Sequence, residues 1–226
     1  MAPPSDVSAN AEWRPKVVIF DLLTALLDSW TLWNASTPSG TEEEGRRWRA
    51  RYLEITFQQG AYTPYEDLVR QAAAEAGVAA SAPDALLSNW SRLQAWPEAC
   101  EVLQRLKAQG CRLGVVTNCS KKLGEIAAAR AARSPSGEQL AFDAVVTAQE
   151  SGFYKPVKQA YDEILQAMGV SASEALFVAG SAGDVQGATN AGIKVVWHNR
   201  VGLAAKGSAM PLRESKSLDG ALEGFI

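Results

Sequence analysis

The segment Val18–Ser29 reads VIFDLLTALLDS, an apolar run that ends at Asp21 and is followed by a turn and a second acidic residue, Asp28. The run begins at Lys16, and its β-branched and apolar residues predict a fully buried strand. Asp21 is therefore expected at the tip of a strand. Four later runs have the same character and predict four more strands: Arg112–Asn118, Ala144–Ala148, Ala175–Gly180 and Lys194–His198.

Helical patterns separate the later strands, and this alternation predicts an α/β fold with a Rossmann-like parallel sheet and helices on both faces. Asp21 and Asn118 end the first and second strands, so both are expected at the carboxyl edge of the sheet, where open α/β sheets bind ligands. The predicted core helices are Glu98–Gln109, Lys121–Arg133, Pro156–Met168 and Gly183–Ala191.

The interval between the first and second strands contains no comparable apolar run. Breakers such as Gly60, Pro64 and Gly77 separate its periodic stretches, which predict amphipathic helices. We therefore predict a helical cap domain over residues 29–96, inserted into a core formed by residues 15–28 and 97–226, and a flexible N-terminal segment over residues 1–14. The predicted cap helices are Glu42–Gln58, Tyr65–Ala76 and Pro83–Leu93.

Composition and charge exclude several classes of protein. The chain has 226 residues, of which 47% are apolar and 21% charged, as in an ordinary globular enzyme. The formal net charge is −3 and no long basic cluster is present, so nucleic-acid binding has no electrostatic support. The three cysteines form no C-x-x-C pair, which argues against a disulfide framework or a thiolate metal site. Without a secretion signal or a membrane-spanning run, we expect a soluble, cytoplasmic protein.

Four segments, in a fixed order, contain the polar residues that could carry chemistry. This order and spacing resembles the haloacid dehalogenase superfamily, in which a nucleophilic aspartate is followed by a hydroxyl or amide group, a lysine and an acidic loop. The resemblance implies that Asp21, Lys155, Ser181 and Asp184 are the catalytic residues. Taken alone, Asp21 could equally be a helix-capping carboxylate. The segments are VIFDLLTALLDS with Asp21, GVVTNCS with Thr117 and Asn118, YKP with Lys155, and VAGSAGDVQGATNAG with Ser181 and Asp184.

Two substitutions argue against a phosphatase. Most phosphatases of this superfamily carry a second aspartate where this chain has Leu23, and an acidic residue where it has Gly180. An alkoxide that leaves phosphate needs a general acid, and magnesium needs carboxylate oxygens. A halide leaves carbon without a proton. The chain therefore resembles the L-2-haloacid dehalogenases, the subfamily without the second aspartate, which implies a hydrolase of organic acids that needs no metal or cofactor.

The resemblance extends to the predicted substrate-binding residues. The stretch Trp48–Thr56 looks like the first long cap helix of these dehalogenases, in which the arginine corresponding to Arg49 grips the halide or the carboxylate. The alternative for Arg49 is a solvated helix face, because GRRWRAR contains four arginines. Lys155 and Tyr161 also share the spacing found in this subfamily, although Lys155 could instead be a structural ion-pair partner. The predicted binding residues are Arg49, Thr117, Asn118, Tyr161, Leu23 and Leu53.

Several positions depart from the dehalogenase pattern. Those enzymes usually carry a threonine four residues after the nucleophile, where this chain has Ala25, and Thr24 lies one position earlier. They place the hydrolytic water with a serine and an asparagine, where this chain has Ala179 and Ser181. Three bulky or polar pocket positions of those enzymes appear here as Leu23, Ala50 and Gly183. These smaller side chains predict an enlarged and drier pocket, and hence a larger substrate.

Three alternatives to a haloacid dehalogenase stay open. The first is an enzyme of the same fold that acts on a larger organic acid or secondary metabolite. The second is a magnesium-dependent phosphatase, and the third is a degenerate binding domain. Family resemblance further implies a homodimer that forms through the cap or through helix Lys121–Arg133.

Overall fold

A six-stranded parallel sheet forms the centre of the computed structural model, which describes residues 13–134, 136–137 and 139–226. All five predicted strands form within a residue or two of the expected bounds, and the predicted α/β architecture is confirmed. The strands are β1 Val17–Phe20, β2 Leu27–Asp28, β3 Gln94–Ala95, β4 Arg112–Thr117, β5 Ala144–Thr147, β6 Ala175–Ala179, β7 Lys194–His198 and β8 Arg213–Ser215.

The strand order of the sheet is β5-β4-β1-β6-β7-β8. The chain runs outward from β1 to β5 and then returns to the other side of β1 at β6. The topological switch point therefore lies at β1, and ligands of open parallel sheets bind beyond the carboxyl ends of the strands at such a point. The edge strand β8 was not predicted, because its sequence, Arg-Glu-Ser, has no apolar run.

In the described part of the chain, ten α-helices surround the sheet or lie over its carboxyl edge. They are α1 Ser29–Ser36, α2 Glu42–Gln59, α3 Tyr65–Glu75, α4 Ala82–Ser88, α5 Ala99–Ala108, α6 Lys121–Ala131, α7 Ala148–Ser151, α8 Lys158–Met168, α9 Ala182–Asn190 and α10 Leu218–Ala221. The helix predicted over Pro83–Leu93 is divided into α4 and a 3-10 turn, Trp90–Arg92.

Helices α1 to α4, here called the helical insertion, lie between β2 and β3. The antiparallel pair β2–β3 was not predicted, because each strand has only two residues. In it Leu27 lies opposite Ala95, and the Trp96 amide donates to the Leu26 carbonyl at 2.9 Å. The two chain crossings to and from the insertion are therefore held side by side. That the insertion is a separate cap domain stays a prediction.

The side chains of β1 alternate between two hydrophobic clusters, one on each face of the sheet. Val18 and Phe20 belong to a cluster that continues through the aromatic side chains of the helical insertion, including Trp48. Val17 and Ile19 belong to a cluster formed with α8 and α9. All four side chains are fully buried, as expected for a central strand that is covered on both faces.

The predicted flexible segment over residues 1–14 lies outside the described residues except at its last two positions. There the indole nitrogen of Trp13 donates to the Ser173 carbonyl at 3.0 Å. That the segment is flexible stays a prediction. The Lys194 ammonium lies 3.9 Å from the centre of the Trp13 ring, and Phe225 packs edge-on against it. Among the residues described, no helix has the length and apolar character that a membrane crossing requires.

Candidate active site

The carboxylate of Asp21 lies at the end of the central strand, where the Asp21 amide still donates to the Val178 carbonyl at 3.0 Å. The chain then turns back over the carboxylate. Oδ2 of Asp21 accepts hydrogen bonds from the Thr24 amide at 3.0 Å, the Thr24 hydroxyl at 2.6 Å and the Ala25 amide at 3.2 Å. Three donors thus hold Oδ2, whereas Oδ1 accepts one bond, from Lys155 at 2.8 Å.

The ammonium of Lys155 lies between two buried carboxylates, 2.8 Å from Asp21 Oδ1 and 3.0 Å from Asp184 Oδ2. Lys155 is 1% exposed. Its backbone is held by the side chain of Asn118, which accepts from the Lys155 amide at 2.7 Å and donates to the Lys155 carbonyl at 2.9 Å. The Asn118 side chain thus holds the Lys155 backbone in place. That Asn118 binds substrate stays a prediction.

The carboxylate of Asp184 is held by three side chains, at the start of the helix that follows β6. Oδ1 accepts from the Tyr161 hydroxyl at 2.9 Å, and Oδ2 accepts from Ser181 at 3.1 Å as well as from Lys155. Residues from three separate strand ends thus meet at one point of the sheet edge.

Burial and charge act in opposite directions on these groups. Burial raises the pKa of the Asp21 carboxyl, but the Lys155 ammonium and the hydrogen bonds from Lys155 and Thr24 outweigh it, so the pKa lies below the ordinary 3.8. Burial, with the nearby charge of Asp21, keeps the pKa of Asp184 above 3.8 despite Lys155. Burial lowers the pKa of Lys155, yet the two carboxylates raise it above the ordinary 10.5. The environments of the two carboxylates therefore shift their pKa values in opposite directions.

Arg49 does not lie on a solvated helix face, because it is 1% exposed. Its guanidinium carbon lies 4.6 Å from the ring centre of Trp30 and 5.3 Å from that of Trp33. Among the described residues, neither Nε nor Nη1 of Arg49 has a hydrogen-bond partner. A buried cation with unmade hydrogen bonds is costly, so the site favours an anion at this guanidinium.

The side chains just described enclose a cavity of about 30 Å³, which we call the nucleophile cavity. This volume holds one or two water molecules. The predicted enlargement is wrong at Gly183, because ring carbons of Phe57 lie 2.6 and 2.7 Å from the position that a Cβ would take there. The lining residues are Asp21, Leu23, Thr24, Arg49, Tyr52, Leu53, Thr56, Phe57, Asn118, Lys155, Ser181 and Asp184.

Two predicted binding residues do not line the nucleophile cavity. Tyr161 lies on α8 and reaches Asp184 from the side of the core. Thr117 ends β4, and its hydroxyl accepts from Cys119 at 3.8 Å, on the side of the strand that faces Gly124 of α6. Both are corrected from substrate contacts to residues behind the site.

Four lining residues were not predicted as part of the site: Thr24, Tyr52, Thr56 and Phe57. A signal for the last three was present, since they follow Arg49 by three, seven and eight residues and so share one face of a helix. Tyr52 also joins the helical insertion to the core, because its hydroxyl donates to the Asn118 carbonyl at 2.9 Å.

Comparisons with known proteins identify relatives along most of the chain. (S)-2-haloacid dehalogenase 4A of Burkholderia cepacia is 28% identical over 211 residues, which cover 88% of this chain and 89% of that protein. Phosphatase MT3486 of Mycobacterium tuberculosis (strain CDC 1551 / Oshkosh) is 29% identical over 187 residues, which cover 81% of this chain and 83% of that protein. The crystal structure of the L-2-haloacid dehalogenase RSc1362 superposes with a TM-score of 0.79 at 26% identity and covers 94% of this chain and 99% of that one.

The model of one family, the haloacid dehalogenase-like hydrolases, matches residues 15–192. The match includes the first strand, the helical insertion, the turn that carries Lys155 and α9, which carries Asp184. The chain belongs to the haloacid dehalogenase-like hydrolases, and the prediction made from the order of its polar segments is confirmed.

Proposed function

We propose that this hydrolase displaces a halide from the second carbon of a 2-haloacid through an ester formed on Asp21. The observation that carries the proposal is the buried, unpaired guanidinium of Arg49 on the same small cavity as the Asp21 carboxylate. A nucleophile that faces an anion-binding cation suits the release of an anion from carbon. The (S)-2-haloacid dehalogenases among the relatives support this choice.

In the first step Oδ1 of Asp21 attacks the second carbon of the substrate. The new carbon–oxygen bond forms as the carbon–halogen bond breaks, and the halide leaves with the bonding electron pair toward Arg49. Lys155 favours the ionised form of Asp21 before the attack, because its ammonium lies 2.8 Å from Oδ1. No proton is needed for the departure of a halide, so Leu23 can replace the usual second aspartate.

In the second step water attacks the carbonyl carbon of the ester. That carbonyl oxygen is Oδ2, which already lies among three donors, the Thr24 amide, the Thr24 hydroxyl and the Ala25 amide. They stabilise the negative charge that develops there, as an oxyanion hole does. Asp184 takes the proton of the water, and its raised pKa suits a general base. The bond between Cγ and Oδ1 then breaks, Oδ1 takes a proton from the Lys155 ammonium, and Asp184 returns its proton to Lys155. A 2-hydroxy acid is released and the Asp21 carboxylate is restored.

A magnesium-dependent phosphatase fits these residues poorly. Leu23 and Gly180 supply no carboxylate ligand, and the Lys155 ammonium already lies between Asp21 and Asp184. Within the described residues there is no group of three or more histidine, cysteine or acidic side chains placed to hold a metal ion. A side chain at Gly180 would also overlap the Thr24 hydroxyl and the Ala25 amide. The loop that holds Asp21 therefore requires glycine where a phosphatase carries an acidic residue.

The proposal is tested by halide release from a panel of 2-haloacids in EDTA. We expect the wild type to release halide and Asp21→Asn to release none, with deamidation excluded by mass spectrometry. Asp28→Asn is the matched control, because this nearby carboxylate caps α1 and asparagine caps a helix equally well. Wild-type turnover by Asp21→Asn would overturn the proposed mechanism, and release only of phosphate, abolished by EDTA, would restore the phosphatase.

A further inference from the structure

A second pocket, here called the outer pocket, lies beside the nucleophile cavity and has a volume of about 200 Å³. The two spaces share Leu53, Phe57 and Ser181 as lining residues. They are therefore neighbours separated by these side chains. The rest of the outer pocket is mostly apolar and is formed by Trp30, Ala50, Glu54, Ala182, Leu203, Ala204 and Lys206.

The ring of Phe57 is the main part of the partition. It occupies the space that a side chain at residue 183 would fill, 2.6 Å from the position of a Cβ on Gly183. Phe57 is only half-buried. Its side chain comes from α2 of the helical insertion, whereas Gly183 belongs to α9 of the core. Phe57 therefore stands between the nucleophile cavity and the outer pocket, together with Leu53 and Ser181.

The charges at the outer pocket suit an anionic ligand with an apolar body. The ammonium of Lys206 lies 5.6 Å from the centre of the Phe57 ring. The carboxylate of Glu54 forms an ion pair with Arg51 at 2.8 Å, which reduces its repulsion of an anion. Trp30 borders the outer pocket with its ring and also lies against the Arg49 guanidinium.

We propose that the outer pocket receives the organic side chain of the substrate and that Phe57 determines how long that side chain can be. The inference rests on the proposed function and narrows its substrate class to 2-substituted acids with an alkyl or aryl group of several carbons. The nucleophile cavity, with a volume of about 30 Å³, has no room for such a group. Apolar walls with few polar groups are typical of pockets for such a group.

The first test measures binding without turnover. Straight-chain carboxylates from acetate to octanoate are titrated into the protein in EDTA by calorimetry. We expect the Kd to fall by up to about fourfold for each added methylene, the fold-change that corresponds to complete burial of one methylene. In Ala50→Phe, which fills the outer pocket from its exposed rim, the dependence on chain length should disappear. Ala74→Phe is the matched control, an exposed alanine on α3 that lines neither space.

The second test compares turnover of short and long 2-haloacids. Phe57→Ala should raise the ratio of kcat/KM for the long acid to that for the short acid by about tenfold or more, the effect of a few methylenes in an apolar pocket. A Kd that does not depend on chain length, a dependence that survives in Ala50→Phe, or no binding of any carboxylate would overturn the outer-pocket proposal. If the chain-length dependence holds but no haloacid loses halide, the proposed function fails and the pocket assignment stands.

Discussion

At the scale of single residues, Thr24 and Gly180 form a matched pair. The dehalogenase pattern expects a threonine four residues after the nucleophile, where this chain has Ala25. In the structure Thr24 supplies the hydroxyl and Ala25 supplies an amide, and both bond to Oδ2 of Asp21. Gly180 is required for this arrangement, because any side chain there would meet Thr24. The departure from the pattern is therefore compensated within one loop.

The Thr24 hydroxyl is expected to act mainly in the second chemical step. Thr24→Val keeps the shape of the side chain but removes the donor, so hydrolysis of the ester should slow by about 10²- to 10³-fold, the usual cost of one oxyanion donor. Rapid quenching and mass spectrometry should then show the ester accumulating on Asp21. Thr24→Ser, which keeps the hydroxyl, should restore most of the rate. An unchanged hydrolysis rate in Thr24→Val would show that Oδ2 is not the stabilised oxygen.

Formation of the ester, which needs ionised Asp21, and its hydrolysis, which needs ionised Asp184, should depend differently on pH. The pKa of Asp21 lies below 3.8 and that of Asp184 above it. As the pH falls from neutral toward 3.8, Asp184 therefore gains a proton first and ceases to act as a base, while Asp21 stays ionised. Quenched samples should contain more ester on Asp21 at acidic pH, with circular dichroism as the check that the protein remains folded. Loss of both steps at the same pH would contradict the assignment of Asp184.

At the scale of elements, one face of α2 both lines the site and packs against α1. Arg49, Tyr52 and Thr56 line the nucleophile cavity from this face. Gly45 lies four residues before Arg49 on the same face, and a Cβ there would lie 2.5 Å from the Asn34 backbone. Sequence periodicity predicted α2 almost to its last residue, but α1 was missed because SWTLWNAS has no regular apolar spacing.

The close approach at Gly45 allows a test of this packing. In an exposed helix, glycine to alanine is usually stabilising by roughly 0.5–1 kcal/mol. Gly45→Ala should instead lower the free energy of unfolding by about 1–3 kcal/mol, because the added methyl group must push α1 and α2 apart. Arg49 lies one turn further along, so kcat/KM should fall as well. Urea unfolding measures the first effect, and unchanged or increased stability would contradict the tight packing.

At the scale of the whole molecule, local sequence patterns located the parts of the site that follow strand ends. Asp21 and Asn118 were expected at one edge because each ends a buried run, and parallel strands bring such ends together. Lys155 and Asp184 were predicted from the resemblance to the superfamily. The position of Phe57 was not predictable in this way. It depends on contact between the helical insertion and α9, more than a hundred residues later, and no local pattern encodes that contact. The proposed homodimer stays a prediction, to be checked by light scattering.

The ester on Asp21 is tested most directly by a single turnover in ¹⁸O-labelled water, with enzyme in excess over a 2-haloacid and EDTA present. Water attacks Cγ of Asp21 in this mechanism, so the label should enter the peptide that contains Asp21, and the first 2-hydroxy acid released should be unlabelled. Label in the product of the first turnover, with none in that peptide, would show that water attacks the substrate carbon directly and would contradict the nucleophilic role of Asp21.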